Sequence, residues 1–254
     1  MRRAPRTRTA AAVLAALALA PALHAADEGV LLSLEQGYET LDGDRPEWKS
    51  TALGAAWSGT SAAANVEWRE VSRFGVSDRQ GSIGGSGTWH DITLAVEASG
   101  SPDHELLPEY AAGFDLGVPV AKGLLLHAGA RRAAYTQEDA TLLRGGLEYY
   151  VGPARLAYTV INGRLESGES GTAHVIQADD YYGAANRVGL VAATGGEATR
   201  IDPNTVVVAD VLSAAVVGRH WIHGPWGVSY VLSWTEQGDF YTRWGGVLGL
   251  IFRL

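Results

Sequence analysis

The chain has 254 residues, 46% of them hydrophobic and only 19% charged, with 32 Gly and no Cys. The lack of Cys excludes a disulfide framework, a thiolate metal site and a thiol nucleophile. A net charge of −8, with no basic tract in the body of the chain, excludes an ordinary nucleic-acid binder, and the absence of low-complexity tracts excludes wholesale disorder.

The first segment reads as an address. Arg2, Arg3, Arg6 and Arg8 precede an apolar run from Ala10 to Leu23, and His24-Ala25-Ala26 then leads into Asp27-Glu28. A basic end, a short apolar core and small residues at the exit predict a secretory signal peptide over 1–25, with 26–254 as one mature domain. The run is short for a membrane-spanning helix. Loss of its four Arg leaves 16 basic against 28 acidic residues, a net charge of −12.

The rest reads with a period of two, the signature of strands whose successive side chains point to opposite faces. Strands are predicted over 30–40, 48–58, 62–72, 80–90, 91–99, 109–118, 124–135, 140–150, 154–164, 172–182, 186–194, 206–221, 226–235 and 241–254. That makes fourteen, or twelve if short segments merge. Among the clear cases, Val66 and Trp68 alternate with Glu67 and Arg69, and Ile92, Leu94 and Val96 with Thr93, Ala95 and Glu97. Further on, Phe114 and Leu116 flank Asp115, and Leu156 and Tyr158 alternate with Arg155 and Ala157. The last two strands are the clearest, with Trp226, Val228, Tyr230, Leu232 and Trp234 on one face and Trp244, Leu248, Leu250 and Phe252 on the same face of the next. Segments 172–182 and 206–221 carry apolar residues on both faces, and their orientation stays open.

Connections alternate in character. The short set is 59–61, 90–91, 119–123, 151–153, 183–185 and 222–225. The polar, mostly longer set is 41–47, 73–79, 100–108, 136–139, 165–171, 195–205 and 236–240. The polar set holds most of the connection carboxylates, Asp42, Asp44, Asp78, Asp103, Glu105, Glu138, Glu197, Asp202 and Glu236 among them. Short turns at one end, longer loops at the other, and strands near the ten residues that cross a bilayer when tilted predict an all-β fold: a single transmembrane antiparallel up-and-down β-barrel of the bacterial outer membrane. Trp48, Trp57, Trp89, Tyr135, Tyr149, Trp226, Trp234 and Trp244 lie toward strand ends, where Trp and Tyr suit the membrane–water boundary. The alternation alone also fits a secreted soluble β-protein with its apolar face inside. The Gly-rich, charge-bearing face, which also holds Glu35, favours the barrel.

Four places carry a family resemblance: Tyr181-Tyr182-Gly183, Asn186-Arg187-Val188-Gly189-Leu190, Trp226-Gly227-Val228-Ser229-Tyr230 and Gly249-Leu250-Ile251-Phe252-Arg253-Leu254. From about residue 109 onward the chain resembles YaiO-type outer-membrane β-barrel proteins, while 30–108 is similar in pattern. The resemblance implies an outer-membrane barrel associated with surface-polysaccharide components. It also implies the barrel-assembly machinery as a partner, with Leu254, where such chains usually end on an aromatic residue, weakening that recognition.

No spacing selects an enzyme. There is no HExxH pair for zinc, no Gly-x-Ser-x-Gly elbow and no phosphate-loop Lys after the Gly-rich run at 81–85. A barrel phospholipase would need a Ser–His pair, for which His127, His174, Ser213 and Ser233 are the raw material. A rim protease would need Asp179-Asp180 and Asp103-His104 to converge, although adjacent strand residues face opposite ways. No catalytic, cofactor or metal site is therefore expected. The expected lumen-lining residues are Glu67, Arg69, Glu97, Asp115, Arg144, Glu148, Arg155 and Arg243, which either set ion selectivity or pair with one another and plug a narrow barrel. Because both signs are mixed, pairing is favoured. The expected membrane-interface aromatics are Trp226, Tyr230, Trp234, Trp244 and Phe252. Lipid and lipopolysaccharide are the expected surroundings, with divalent cations bridging the acidic loops to anionic glycan as a sharper reading. The function expected is structural or transport-associated.

Overall fold

Alternation over ten or so residues, broken by turn residues, leaves each segment one way to satisfy its backbone: pairing with the segments before and after it. A computed structural model shows this outcome, and it describes residues 28–43, 45–183, 185–202 and 205–254. The predicted signal peptide and Asp44 lie outside the described residues. Fourteen strands run in chain order: β1 (Gly29–Leu41), β2 (Trp48–Ser58), β3 (Ala62–Arg73), β4 (Val76–Trp89), β5 (Ile92–Gly100), β6 (Tyr110–Ala121), β7 (Leu124–Ala134), β8 (Ala140–Val151), β9 (Ala154–Leu165), β10 (Ser170–Tyr182), β11 (Asn186–Asp202), β12 (Thr205–His223), β13 (Trp226–Gln237) and β14 (Tyr241–Arg253). Each pairs antiparallel with its chain neighbours, and β1 pairs with β14 from Leu31↔Arg253 to Leu41↔Arg243, closing the barrel. Closure leaves no sheet edge, the condition for strands to stand in hydrocarbon.

The register sorts every strand into two faces. Leu34, Leu53, Val66, Ile83, Val96, Phe114, Leu143, Leu190, Leu232 and Leu248 all lie on the outer face, and each is about half exposed or more. A continuous apolar surface of this size is what a bilayer covers. Trp226 packs on Phe252 toward the end of the wall where the chain termini lie, and Trp234 on Trp244 toward the other. From Trp226 to Trp234 the strand climbs roughly 20 Å at ~3.3 Å per residue and ~40° tilt, close to the ~25 Å apolar band of such barrels. Tyr230 lies between the two pairs, and its hydroxyl is hydrogen-bonded to His220 Nε2 at 3.1 Å.

The strand count is the one read from the alternation, but several boundaries move. The predicted loop 73–79 shrinks to Phe74-Gly75, with φ values of 51° and 79°. Two positive φ values in succession make the tight hairpin turn that matches strand twist, and Phe74, too bulky for this conformation in isolation, packs edge-on against Trp48 at 5.3 Å. The predicted loop 195–205 likewise disappears into β11 and β12, which pair as far as Asp202↔Thr205. The cause is common to both. Above the bilayer the outer face meets water, so the ladder continues while the apolar half of its alternation stops.

Two residues change place as a result. Asp78 is not in a loop: it is an inward residue of β4 with 0% exposure. Trp48 is not a girdle residue: it faces inward at 3% exposure and forms a cluster with Tyr241, Leu41 and Phe74. The two segments of open orientation are also explained. The inner face carries a dry patch of its own, in which Ile161, Val175 and Ala193 pack with Leu142 and Val191. These residues come from the neighbouring strands β8 to β11, so the patch is a stretch of one wall.

Candidate functional site

The barrel interior gathers charged residues from many strands. All eight of the charges expected to line the lumen, Glu67, Arg69, Glu97, Asp115, Arg144, Glu148, Arg155 and Arg243, share the register opposite the apolar belt. The structure gives each of them a counterion. Arg144 Nε donates to Asp115 Oδ2 at 2.6 Å and Arg131 Nη1 to Glu97 Oε1 at 2.7 Å. Arg69 pairs with Glu67 at 2.9 Å, and Arg243 with Glu39 at 2.9 Å.

Two of these pairs reach over a whole strand, and glycine explains how. Asp115 faces Gly129, and Gly129 faces Arg144. A methyl group on Gly129 would overlap the Asp115 carboxylate, the Phe114 carbonyl and Arg144 Nε. Glu97, Gly113 and Arg131 repeat the arrangement. The inner glycines thus form low points over which a guanidinium and a carboxylate meet from the strands on either side.

The densest group lies toward the end of the wall nearest the termini. Arg155 faces Asp179 directly across β9 and β10. Its Nη1 donates to Asp179 Oδ2 at 2.7 Å and its Nε to Glu148 Oε2 at 2.9 Å. Tyr150 Oη adds a bond to Glu148 at 2.6 Å, and the Gln177 amide one to Asp179 at 3.0 Å. The side chains of Arg155, Glu148 and Asp179 are 10%, 12% and 0% exposed, so this network is largely removed from water. A planar guanidinium donating to two carboxylates at once is a geometry that Lys does not reproduce. All cations of the chain except Lys49 and Lys122 are Arg.

At the opposite end a cluster of side chains and a loop pack against the inner wall. Arg73 and Arg243 lie over the Trp48 ring, with centroid distances of 4.6 and 5.0 Å. Tyr241 donates to Gln237 at 2.6 Å, and Gln237 is 1% exposed. The 101–109 loop folds onto this end, with the backbone N–H groups of Leu106 and Leu107 donating to Asp78 Oδ2 at 2.6 and 2.8 Å. Its exposed side carries Asp103, whose carboxyl is held below the usual range by the Arg79 hydrogen bond at 2.9 Å.

The enzyme-like constellations do not assemble. His127 points inward near Thr159, while His174 is on the outer face, hydrogen-bonded to Tyr158 at 2.8 Å. Ser213 donates to Thr235. Asp179 is engaged by Arg155, and Asp180 lies on the other face. Among the described residues no group of three or more His, Asp and Glu side chains could hold a metal ion. Sequence reasoning missed Glu39, Arg131, Asp179 and Arg187 as inner residues. Counting parity outward from an anchored neighbour, such as Arg155 for Asp179, would have found them.

A closed antiparallel barrel with an apolar outer belt, paired aromatics near both ends of it and ionised groups turned inward is an outer-membrane β-barrel protein. The chain belongs to the YaiO membrane beta barrel domain family, whose model matches residues 31–200. That match takes in the first half of the barrel, which the sequence motifs touched in pattern only, and stops short of the Trp226 and Gly249 motifs. No curated protein matches the chain. Among solved structures, it is similar to the CymD monoaromatic hydrocarbon channel (TM-score 0.58, 10% identity, 89% of this chain and 88% of that one). It is also similar to the Acinetobacter baumannii outer membrane protein Omp33 (TM-score 0.54, 10% identity, 89% and 98%). A third is a bacterial polysaccharide outer membrane secretin (TM-score 0.53, 8% identity, 89% and 99%). At such identities the likeness is one of fold. The protein is thus a bacterial outer-membrane barrel, and its belt meets lipid. In such barrels the termini and short turns face the periplasm and the longer loops face outward.

Proposed function

We propose that this barrel serves the outer membrane as a transport-associated element that rests closed, its interior occupied by paired charges and its outer mouth by the Trp48 cluster and the 101–109 loop. The observation that carries this reading is the pairing of the inner charges across glycine low points, because a wide aqueous channel would leave room for unpaired charge and water. The resting wall would also serve a structural role. The secretory leader through Ala25, and dependence on the barrel-assembly machinery, belong to the same reading.

Single-channel recording in planar bilayers tests it. The wild-type protein is expected to show no long-lived conductance steps at moderate voltage. The Arg131→Gln and Arg144→Gln double variant, with two pairs severed over Gly113 and Gly129, is expected to show them. Stable steps from the wild-type barrel would refute the closed resting state. A link to surface polysaccharide is a second reading, supported by the family resemblance and by the polysaccharide secretin among the similar folds. Flux of acidic oligosaccharide into liposomes separates it from purely structural service.

A further inference from the structure

Toward the periplasmic end, the inner wall brings Arg187 of β11 and Arg219 of β12 together. Arg187 and Arg219 face each other directly across β11 and β12, both in the inward register. Like charges in direct cross-strand opposition destabilise a sheet. Arg187 has Asp179 at 3.5 Å, but Asp179 already accepts from Arg155 at 2.7 Å and from Gln177 at 3.0 Å. Arg219 has no carboxylate partner among the described residues, and its Nε is buried without a hydrogen-bond acceptor. The neighbouring groups that act on it most strongly are Arg187 and Arg253, both of its own sign, ahead of the Tyr181 phenol. The Arg253 guanidinium rests 4.1 Å from the centroid of Trp221, two residues along from Arg219.

The polar groups beside this pair are donors as well. Tyr181 lies directly opposite Arg187, and its hydroxyl is buried without a partner, as is the indole N–H of Trp221. Two opposed guanidinium groups, a phenol and an indole N–H, with a third Arg alongside, present donors on every side. The complement is a small group rich in acceptor oxygens and carrying more than one negative charge. Each of these residues keeps part of its surface exposed, although the Arg219 Nε, the Tyr181 hydroxyl and the Trp221 indole N–H are themselves covered. The electrostatic contrast gives the direction of approach: acidic outer loops repel an anion, and an Arg-rich inner mouth draws one in.

We propose that Arg187 and Arg219, with Tyr181 and Trp221, form a binding site for a phosphate-class oxyanion at the periplasmic mouth of the lumen. The bound group bridges the two guanidinium groups and relieves their repulsion. The oxyanion is borne by a soluble phosphate compound entering from the periplasm or by a lipid headgroup at the rim. The site does not depend on whether the lumen conducts.

The test is calorimetric titration and thermal unfolding of the full barrel refolded in a neutral maltoside detergent. One arm adds inorganic phosphate, with chloride at equal ionic strength as comparison. The other adds phosphatidylglycerol to the micelles. Phosphate is expected to bind and to raise the melting temperature more than chloride does. Arg219→Gln is expected to weaken that binding at least tenfold while leaving the ligand-free barrel as stable as wild type or more so, because it removes a like-charge contact. Arg219→Lys is expected to restore part of the binding. A response to phosphate identifies a soluble ligand, and a response to phosphatidylglycerol alone identifies the headgroup; both support the site. No response in either arm, or an equal response in Arg219→Gln, would overturn it.

Discussion

Replacing Arg155 by Met is expected to destabilise the barrel by about 3–5 kcal/mol, the usual consequence of stranding buried charge. Arg155 is the shared donor to Glu148 and Asp179, both nearly or fully shielded from water. Without it, Glu148 on β8 and Asp179 on β10 lose the guanidinium that joins them across β9, which leaves Glu148 with Tyr150 among its donors and Asp179 with Gln177 and, at 3.5 Å, Arg187. Urea unfolding of the refolded protein in liposomes measures the loss. A diagnostic companion is the triple variant Arg155→Met, Glu148→Gln, Asp179→Asn. With all three charges gone, most of the stability should return, since the penalty lies in the unpaired ions rather than in any large net worth of the network. Equal losses in the single and triple variants would mean that Arg155 acts through packing alone.

A charge placed on the outer wall should also be damaging. Leu232 lies between the Trp226 and Trp234 levels, two residues from the latter, and is 59% exposed on the outer face. Leu232→Arg is expected to cost about 1–3 kcal/mol, between the ranges for Arg at the bilayer midplane and near the interface. Ser233→Arg, one residue along and facing inward beside Gly245, carries the same charge into a region already built to hold it. Its cost should be the smaller one. In a water-soluble barrel the order would reverse, because Leu232 would be the free surface and Ser233 the enclosed position. The comparison of the two variants in one unfolding assay is therefore more informative than either alone.

The strand count, the closure and the outward face were legible because lipid imposes one strict rule on each strand within the bilayer. Legibility failed where that rule stops. Above the membrane the outer face of β4, at Ser77 and Arg79, is polar, so a ladder residue such as Asp78 reads as loop. Inside, Val175 and Val217 sit on the inner face, so β10 and β12 look apolar on both sides and their inner charges, Asp179 and Arg219, lose their orientation. Trp48 reads as an interface aromatic because sequence alternation does not say that Arg73 from the next strand and Arg243 from beyond β1 lie over its ring. The charges of the interior were legible as a class but not as pairs. Asp115 finds Arg144 across an intervening strand, over Gly129, and that meeting depends on the register of three strands at once.

An outer-membrane barrel requires the apolar side of its wall to face outward, and the absence of native Cys makes that directly measurable. Single Cys residues introduced in turn at positions 228 to 234 of β13 can be nitroxide-labelled in proteoliposomes, and the accessibility of each label to oxygen and to a water-soluble nickel chelate recorded. The expected result is alternation with a period of two: high oxygen accessibility at Val228, Tyr230, Leu232 and Trp234, and shielding from oxygen at Ser229, Val231 and Ser233. The opposite phase, or uniform nickel access at Leu232 and its outer neighbours, would contradict it.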